Sequence, residues 1–240
     1  MRHRLLLGLV GMALAAAGFA LGAWRTPSRL DARLYAQNRL IAVQVHLDEA
    51  PAEYILLAGD SQAELHSPAQ RACGLEIVNG GVSGSSSAVY AELLERLALR
   101  TRPRAVALTI GTNDLLVKND PRGAAAATRF EASLTRIVTR LRAVSDRVVV
   151  TAVPPIGRVL AGRLDPLAVT DYSARIRVLC ERLGCHYADP FADLRDGETG
   201  FAREGAMRDG LHLAAYRPAL RALEPALCPV AAAEGGAGSR

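Results

Sequence analysis

The residues of this chain that could do chemistry fall in four short segments, the first three placed just after an apolar run. They are Gly59-Asp60-Ser61, Asn79-Gly80-Gly81-Val82-Ser83-Gly84, Gly111-Thr112-Asn113-Asp114 and Asp209-Gly210-Leu211-His212. A serine hydroxyl is a weak nucleophile at its own pKa and needs a base to take its proton as it attacks. His212 can be that base. Asp209, three residues earlier across a turn containing Gly210, can fold back onto the imidazole, fix its tautomer and stabilise the imidazolium that forms. Negative charge developing on a carbonyl oxygen can then be met by the backbone N–H groups of Ser61 and Gly84 and by the side-chain amide of Asn113. A glycine suits the second of these positions because a substrate must approach the backbone closely there. Each residue also has a plainer role open to it. Ser61 could cap a helix, Gly84 and Asn113 could shape turns, and Asp209 with His212 could be a hydrogen-bonded surface pair.

In this order, over Tyr54 to Leu213, the four segments resemble the blocks of the SGNH (GDSL-like) hydrolases. The resemblance implies a flavodoxin-like three-layer α/β/α fold and hydrolysis of carboxylic esters through an acyl-enzyme on Ser61. It assigns Asp209 and His212 as orienter and base and Ser61, Gly84 and Asn113 as the oxyanion hole, with no cofactor and no metal. Related activities stay open: O-acyl transfer to an extracytoplasmic polysaccharide, lysophospholipase- or thioesterase-type lipid hydrolysis, or an inactive binding module. Gln62 stands where leucine or isoleucine is common after the serine, and Glu64-Leu65 where a glycine is frequent. That departure bears on the shape of the acyl pocket rather than on the chemistry.

Elements able to position these segments are legible. Short apolar runs at Tyr54–Ala58, Leu75–Val78, Ala105–Ile110, Arg147–Ala152 and Cys185–Ala188 read as strands. Ser86–Leu99, Thr128–Val144, Thr170–Leu183 and Tyr216–Leu227 carry apolar residues at helical spacing. The alternation predicts a parallel sheet of about five strands between helical layers, and in such sheets reactive groups gather at the carboxyl ends of strands. Residues 25–50 read as a linker passing into a helix with Leu30, Leu34, Ile41 and Val45 in its stripe, stopped by Pro51. The hydrolase domain is expected over residues 51–230. The Gly- and Pro-containing segment Val153–Pro166 reads as a mobile loop over the site, and Ala231–Arg240 as a disordered tail.

Charged residues make up 22% of the 240 residues, which fits a folded domain rather than a disordered chain. The net charge of +5 is carried by scattered arginines, Lys118 being the single lysine. With no basic stripe interleaved with aromatics, nucleic acid is not expected as a partner. A small-molecule, glycan or lipid ester is. Arg2, His3 and Arg4 precede an uncharged apolar run from Leu5 to Trp24, the form of an export signal or of a membrane anchor. Either places the domain outside the cytoplasm, in the periplasm or secreted. Cys73, Cys180, Cys185 and Cys228 show no metal-ligand spacing. They are expected either as Cys180–Cys185 and Cys73–Cys228 disulfides or as four small buried apolar side chains.

Other sites fit less well. The G-x-S-x-G elbow of α/β-hydrolases is absent, and the Gly80–Ser87 run matches neither phosphate-binding pattern, G-x-G-x-x-G or G-x-x-x-x-G-K. His46, His66 and His186 read as structural or solvated, and Asp60, Asp114 and Asp189 as carboxylates that bind backbone beside the site.

Overall fold

The computed structural model describes residues 28–67 and 69–228; the apolar run 5–24 and the tail 231–240, with the expectations attached to them, lie outside the described residues. Two units are distinguished, residues 1–38 and residues 39–240. Of the first, residues 28–38 are helical, as the start of α1 (Ser28–Asp48). Among the described residues no helix is long and apolar enough to cross a membrane.

The domain is organised by one mostly parallel sheet. Strands β1 (Tyr54–Gly59), β2 (Arg71–Ala72), β3 (Leu75–Gly81), β4 (Ala105–Thr109), β5 (Val148–Thr151) and β6 (His186–Ala188) lie in the spatial order β2-β3-β1-β4-β5-β6. All pairs are parallel except β2 with β3. β1 is buried along its whole length, which is why it reads as a continuous apolar run rather than an alternating one. Its neighbours are β3 on one side and β4 on the other, so the strand order reverses at β1. The crevice beyond its carboxyl end is where an open α/β sheet exposes a site.

β2 is a sixth strand that the sequence reading does not contain. It is two residues long and turns back onto β3 through Cys73-Gly74, both at positive φ (55° and 73°). That is the pattern of a type I′ hairpin turn, and two residues are too few to carry any periodicity. The helices are α2 (Ser61–Glu64), α3 (Ser87–Glu95), α4 (Ala124–Arg142), α5 (Pro166–Leu183) and α6 (Arg217–Leu227). Leu220, Leu223 and Leu227 of α6 pack on Ile55, Leu57, Ala105, Ala107 and Val149, which share one face of the sheet. The alternate residues Leu56, Ala58, Val106 and Leu108 point the other way by strand periodicity and are all buried. α3, α4 and α5 pack side by side in sequence order.

The stripe expected for α1 is corrected. In the domain its buried residues are Leu40, Val43 and Leu47, whereas Leu34, Ile41 and Val45 are exposed, Ile41 at 65%; the side chain of Leu30 lies outside the described residues. Both sets fit a 3.6-residue period, so periodicity alone does not choose between them. Both disulfides form, Cys73–Cys228 and Cys180–Cys185, and no cysteine is free.

Candidate active site

At the end of β1 the chain turns sharply, and Asp60 caps the single-turn helix α2 by accepting from the Gln62 N–H at 2.9 Å. Ser61 is thereby the first helical residue, with its side chain lodged in the crevice and only 5% of its surface exposed. Its Oγ lies 3.0 Å from His212 Nε2, and His212 Nδ1 lies 2.8 Å from Asp209 Oδ2. Asp209 Oδ1 accepts from the backbone N–H groups of Leu211 (2.9 Å) and His212 (2.8 Å). This four-residue turn is therefore closed by the same carboxylate that meets the ring. Partial burial pushes the Asp209 carboxyl up, but the His212 N–H, its ring and the Leu211 N–H together hold it down at about 2. Ionised near neutrality, Asp209 accepts from Nδ1–H, which leaves Nε2 as the lone pair facing the serine hydroxyl.

The other two segments reach the same crevice. Gly84 adopts φ +78°, and a Cβ built on it would meet nothing within 4 Å. The glycine is thus set by backbone conformation, and its surroundings are open. Among the described residues its N–H has no hydrogen-bond partner, nor has that of Ser61. Asn113 follows Gly111 in a 3-10 turn after β4 and donates one Nδ2 hydrogen to Ser85 O at 3.0 Å, leaving the second unassigned.

The neighbouring carboxylates bind backbone as expected. Asp60 also accepts from the Thr112 N–H (3.3 Å), tying the first segment to the third. Complete burial pushes its carboxyl up to about 7 against the pull of the Gln62 N–H, with the Asp114 charge adding to the rise. Asp114 accepts from the Ser87 N–H and hydroxyl at 2.8 and 2.7 Å, and Asp189 from the Phe191 N–H and from Arg195. Among the described residues His212 is the histidine that hydrogen-bonds Ser61; His66 packs its ring edge-on against Tyr216, and His186 lies on the edge strand β6. Among the described residues no cluster could hold a metal ion.

Several braces were not foreseen from sequence. Asn79 Nδ2 lies within hydrogen-bonding distance of the carbonyls of Ala63, Glu64 and His66, where α2 ends, and its Oδ1 accepts from the Gly81 N–H. Arg39 donates to the carbonyls of Asn79 and Gly81, and Glu64 accepts from the Ser83 N–H. Of the residues that depart from the usual sequence beside the serine, Gln62 and Glu64 face inward as supports, whereas Leu65 is exposed. A buried Asn at a strand end was the one available signal for this network.

The segment Val153–Pro166 is also corrected. Its start is buried and bridged to Phe201, and its later part bridges Leu116 through Leu164. Gly157 N–H donates to Gly210 O at 2.7 Å, and a Cβ on Gly157 would stand 2.7 Å from Gly210 Cα. The start of the segment backs the Asp209–His212 turn, whereas residues 158–163 are largely exposed. Two glycines at this contact let the backbones meet.

Fold and site together define the class, an ester-hydrolysing enzyme on a mostly parallel three-layer α/β scaffold. The chain belongs to the GDSL-like lipase/acylhydrolase family, whose model matches residues 56–216. Solved structures share the fold at low identity. A Streptococcus pneumonia protein aligns with TM-score 0.63 at 20% identity, covering 89% of this chain and 99% of its own. A lipase/acylhydrolase from Enterococcus faecalis gives 0.58 at 16%, covering 72% and 95%. An acetylxylan esterase from Geobacillus stearothermophilus gives 0.57 at 15%, covering 75% and 95%. No curated protein matches significantly.

Proposed function

We propose that the protein is a serine esterase that removes short acyl groups, such as acetyl on a sugar, through an acyl-enzyme on Ser61. The observation that carries this is the line from Asp209 Oδ2 through His212 to Ser61 Oγ, with contacts of 2.8 and 3.0 Å. Ser61 Oγ attacks the ester carbonyl while His212 Nε2 takes its proton. The oxyanion of the tetrahedral intermediate receives the N–H groups of Ser61 and Gly84 and the free hydrogen of Asn113 Nδ2. His212 then returns the proton to the departing alcohol, and water, activated by the same base, releases the acid. The structures of the Geobacillus stearothermophilus acetylxylan esterase include catalytic mutants at a serine, an aspartate and a histidine three positions after it, the spacing of Asp209 and His212. On this mechanism Asn113→Ala lowers kcat about 10²- to 10³-fold with little change in KM, the loss typical of one oxyanion donor; steady-state kinetics on a p-nitrophenyl ester reads it.

The substrate reading is supported by a cavity of about 350 Å³ that includes Asn113 and mixes polar walls, among them Ser86, Asp114 and Arg129, with apolar ones from Ala88, Ala126 and Phe130. Such walls offer partners to both the hydroxyls and the apolar faces of a sugar ring. An extracytoplasmic site of action belongs to the same reading, supported by the Leu5–Trp24 run and by two disulfides, which persist in oxidising compartments. The test is a series of p-nitrophenyl esters from acetyl to palmitoyl beside acetylated xylo-oligosaccharides, with the products identified. Activity peaking at acetyl or butyryl and free acetate from the glycan are expected. A maximum at long chains would transfer the assignment to lipids, and acyl groups appearing on an added glycan would make the enzyme a transferase.

A further inference from the structure

We infer that Gln62, the residue after the proposed nucleophile, is a positioning residue whose side-chain amide holds the His212 turn in register with Ser61. The inference rests on the esterase reading above, and it concerns a residue that takes no part in the proton transfers. Gln62 is 1% exposed. Its backbone N–H is fixed by Asp60, its Nε2 donates to Leu211 O at 2.6 Å, and its Oε1 accepts from the Tyr216 hydroxyl at 3.0 Å. Leu211 is the residue immediately before His212. The neighbour of the nucleophile therefore grips the neighbour of the base, across 149 positions of sequence.

This grip matters because of where the two partners sit. Ser61 is built into the buried end of β1, whereas Asp209 and His212 lie on a surface turn, the Asp209 side chain being 53% exposed. The hydrogen bonds from α2 to this turn include Ser61–His212, which must break and re-form in every catalytic cycle, and Gln62–Leu211, which need not. Contacts from elsewhere, such as Gly157–Gly210, hold the turn to a different segment. Tyr216 in turn orients the amide so that its N–H side faces Leu211 O, and its own ring rests against His66. A leucine or isoleucine at position 62 could fill the space but could make neither bond.

A buried glutamine that merely satisfies its neighbours contributes to stability and leaves turnover per folded molecule unchanged. A positioning residue does otherwise, since a displacement of about 1 Å at a base can cost about 10²-fold in rate. The experiment compares the full-length wild-type chain with Gln62→Met and Gln62→Glu at a temperature well below every melting point. Active molecules are counted by a serine-reactive phosphonate. Gln62→Met, which keeps the length and loses both bonds, is expected to lower kcat about 10- to 100-fold with KM within about two-fold. Gln62→Glu keeps the acceptor for Tyr216 and can donate to Leu211 O only while protonated. Its carboxyl would sit among Asp60, Asp209, Tyr216, His66, His212 and Arg208. Its deficit relative to wild type is therefore expected to shrink as pH falls, whereas a loss of packing alone gives a pH-independent ratio. The downfield Nδ1–H proton of His212, followed by NMR, reports the same displacement without a substrate: sharp in wild type, broadened or lost in Gln62→Met. Wild-type kcat in both variants, with His212 resonances unchanged, would overturn the inference. Absence of Ser61-dependent hydrolysis or labelling in the wild type would instead overturn the esterase reading, and the NMR comparison would still decide the role of Gln62.

Discussion

Ser61→Ala is expected to abolish ester hydrolysis, lowering kcat about 10⁴- to 10⁶-fold, while leaving the melting temperature almost where it was. Removing the nucleophile of a Ser-His-Asp system costs about as much as removing the whole set, and the oxyanion donors leave a residual rate above that of water alone. The stability side of the expectation comes from the surroundings. The Ser61 hydroxyl makes one side-chain hydrogen bond, to His212 Nε2, and the backbone of the turn is held independently by Asp60. Loss of that bond is worth about 1 kcal/mol. Paired measurements of turnover on p-nitrophenyl acetate and of thermal unfolding check both halves. A variant that keeps more than a tenth of wild-type activity would mean that another group attacks the ester.

The largest effect on stability is expected from the long disulfide. Cys73 and Cys228 are separated by 155 positions, and closing a loop of that size removes about 5 kcal/mol of chain entropy from the unfolded state, against about 2 kcal/mol for the five-position Cys180–Cys185 loop. In a domain of this size each kcal/mol moves the melting temperature by about 2–4 °C. The Cys73→Ser/Cys228→Ser variant should therefore melt about 10–20 °C lower, and the Cys180→Ser/Cys185→Ser variant less than half as far. Both should remain active at low temperature, because neither bridge touches Ser61, Asn113 or His212. Denaturation of the two variants under non-reducing conditions makes the comparison. Equal losses, or a greater loss from the short loop, would show that native-state packing and not chain entropy governs these bridges.

The candidate site residues were legible in the sequence because their relation is local or periodic. Asp209 and His212 find one another across three residues, Ser61 and Asn113 fall just after β1 and β4, whose full burial makes them conspicuous apolar runs, and Gly84 follows β3, which is buried in its second half. Gln62, Arg39 and Asn79 were not legible as supports, since their meaning lies in partners 149, 42 and 16 positions away that only the folded sheet assembles. The face of α1 illustrates a second limit: two apolar stripes compete on one helix, and tertiary packing selects Leu40, Val43 and Leu47. The segment after β5 misled for a third reason. Glycine and proline signal irregular backbone equally well when it is exposed and when, as at Gly157 and Gly210, it is pressed against another chain segment.

The Cys73–Cys228 bridge also has a topological meaning. It closes a covalent ring that contains Gly84, Asn113, Asp209 and His212, whereas Ser61 and its strand lie on the arm that precedes the ring. β1 is nevertheless the strand inserted between two members of that ring, β3 and β4. A tensile load entering through the amino-terminal end would meet the Arg39 and apolar contacts of α1 first and then, in shear, the hydrogen bonds on both edges of β1. Everything from Cys73 to Cys228 would be protected from extension by the covalent ring. Under force the molecule should then yield by withdrawing β1 and Ser61 from an otherwise intact ring, so activity would vanish when β1 leaves the sheet rather than with global unravelling.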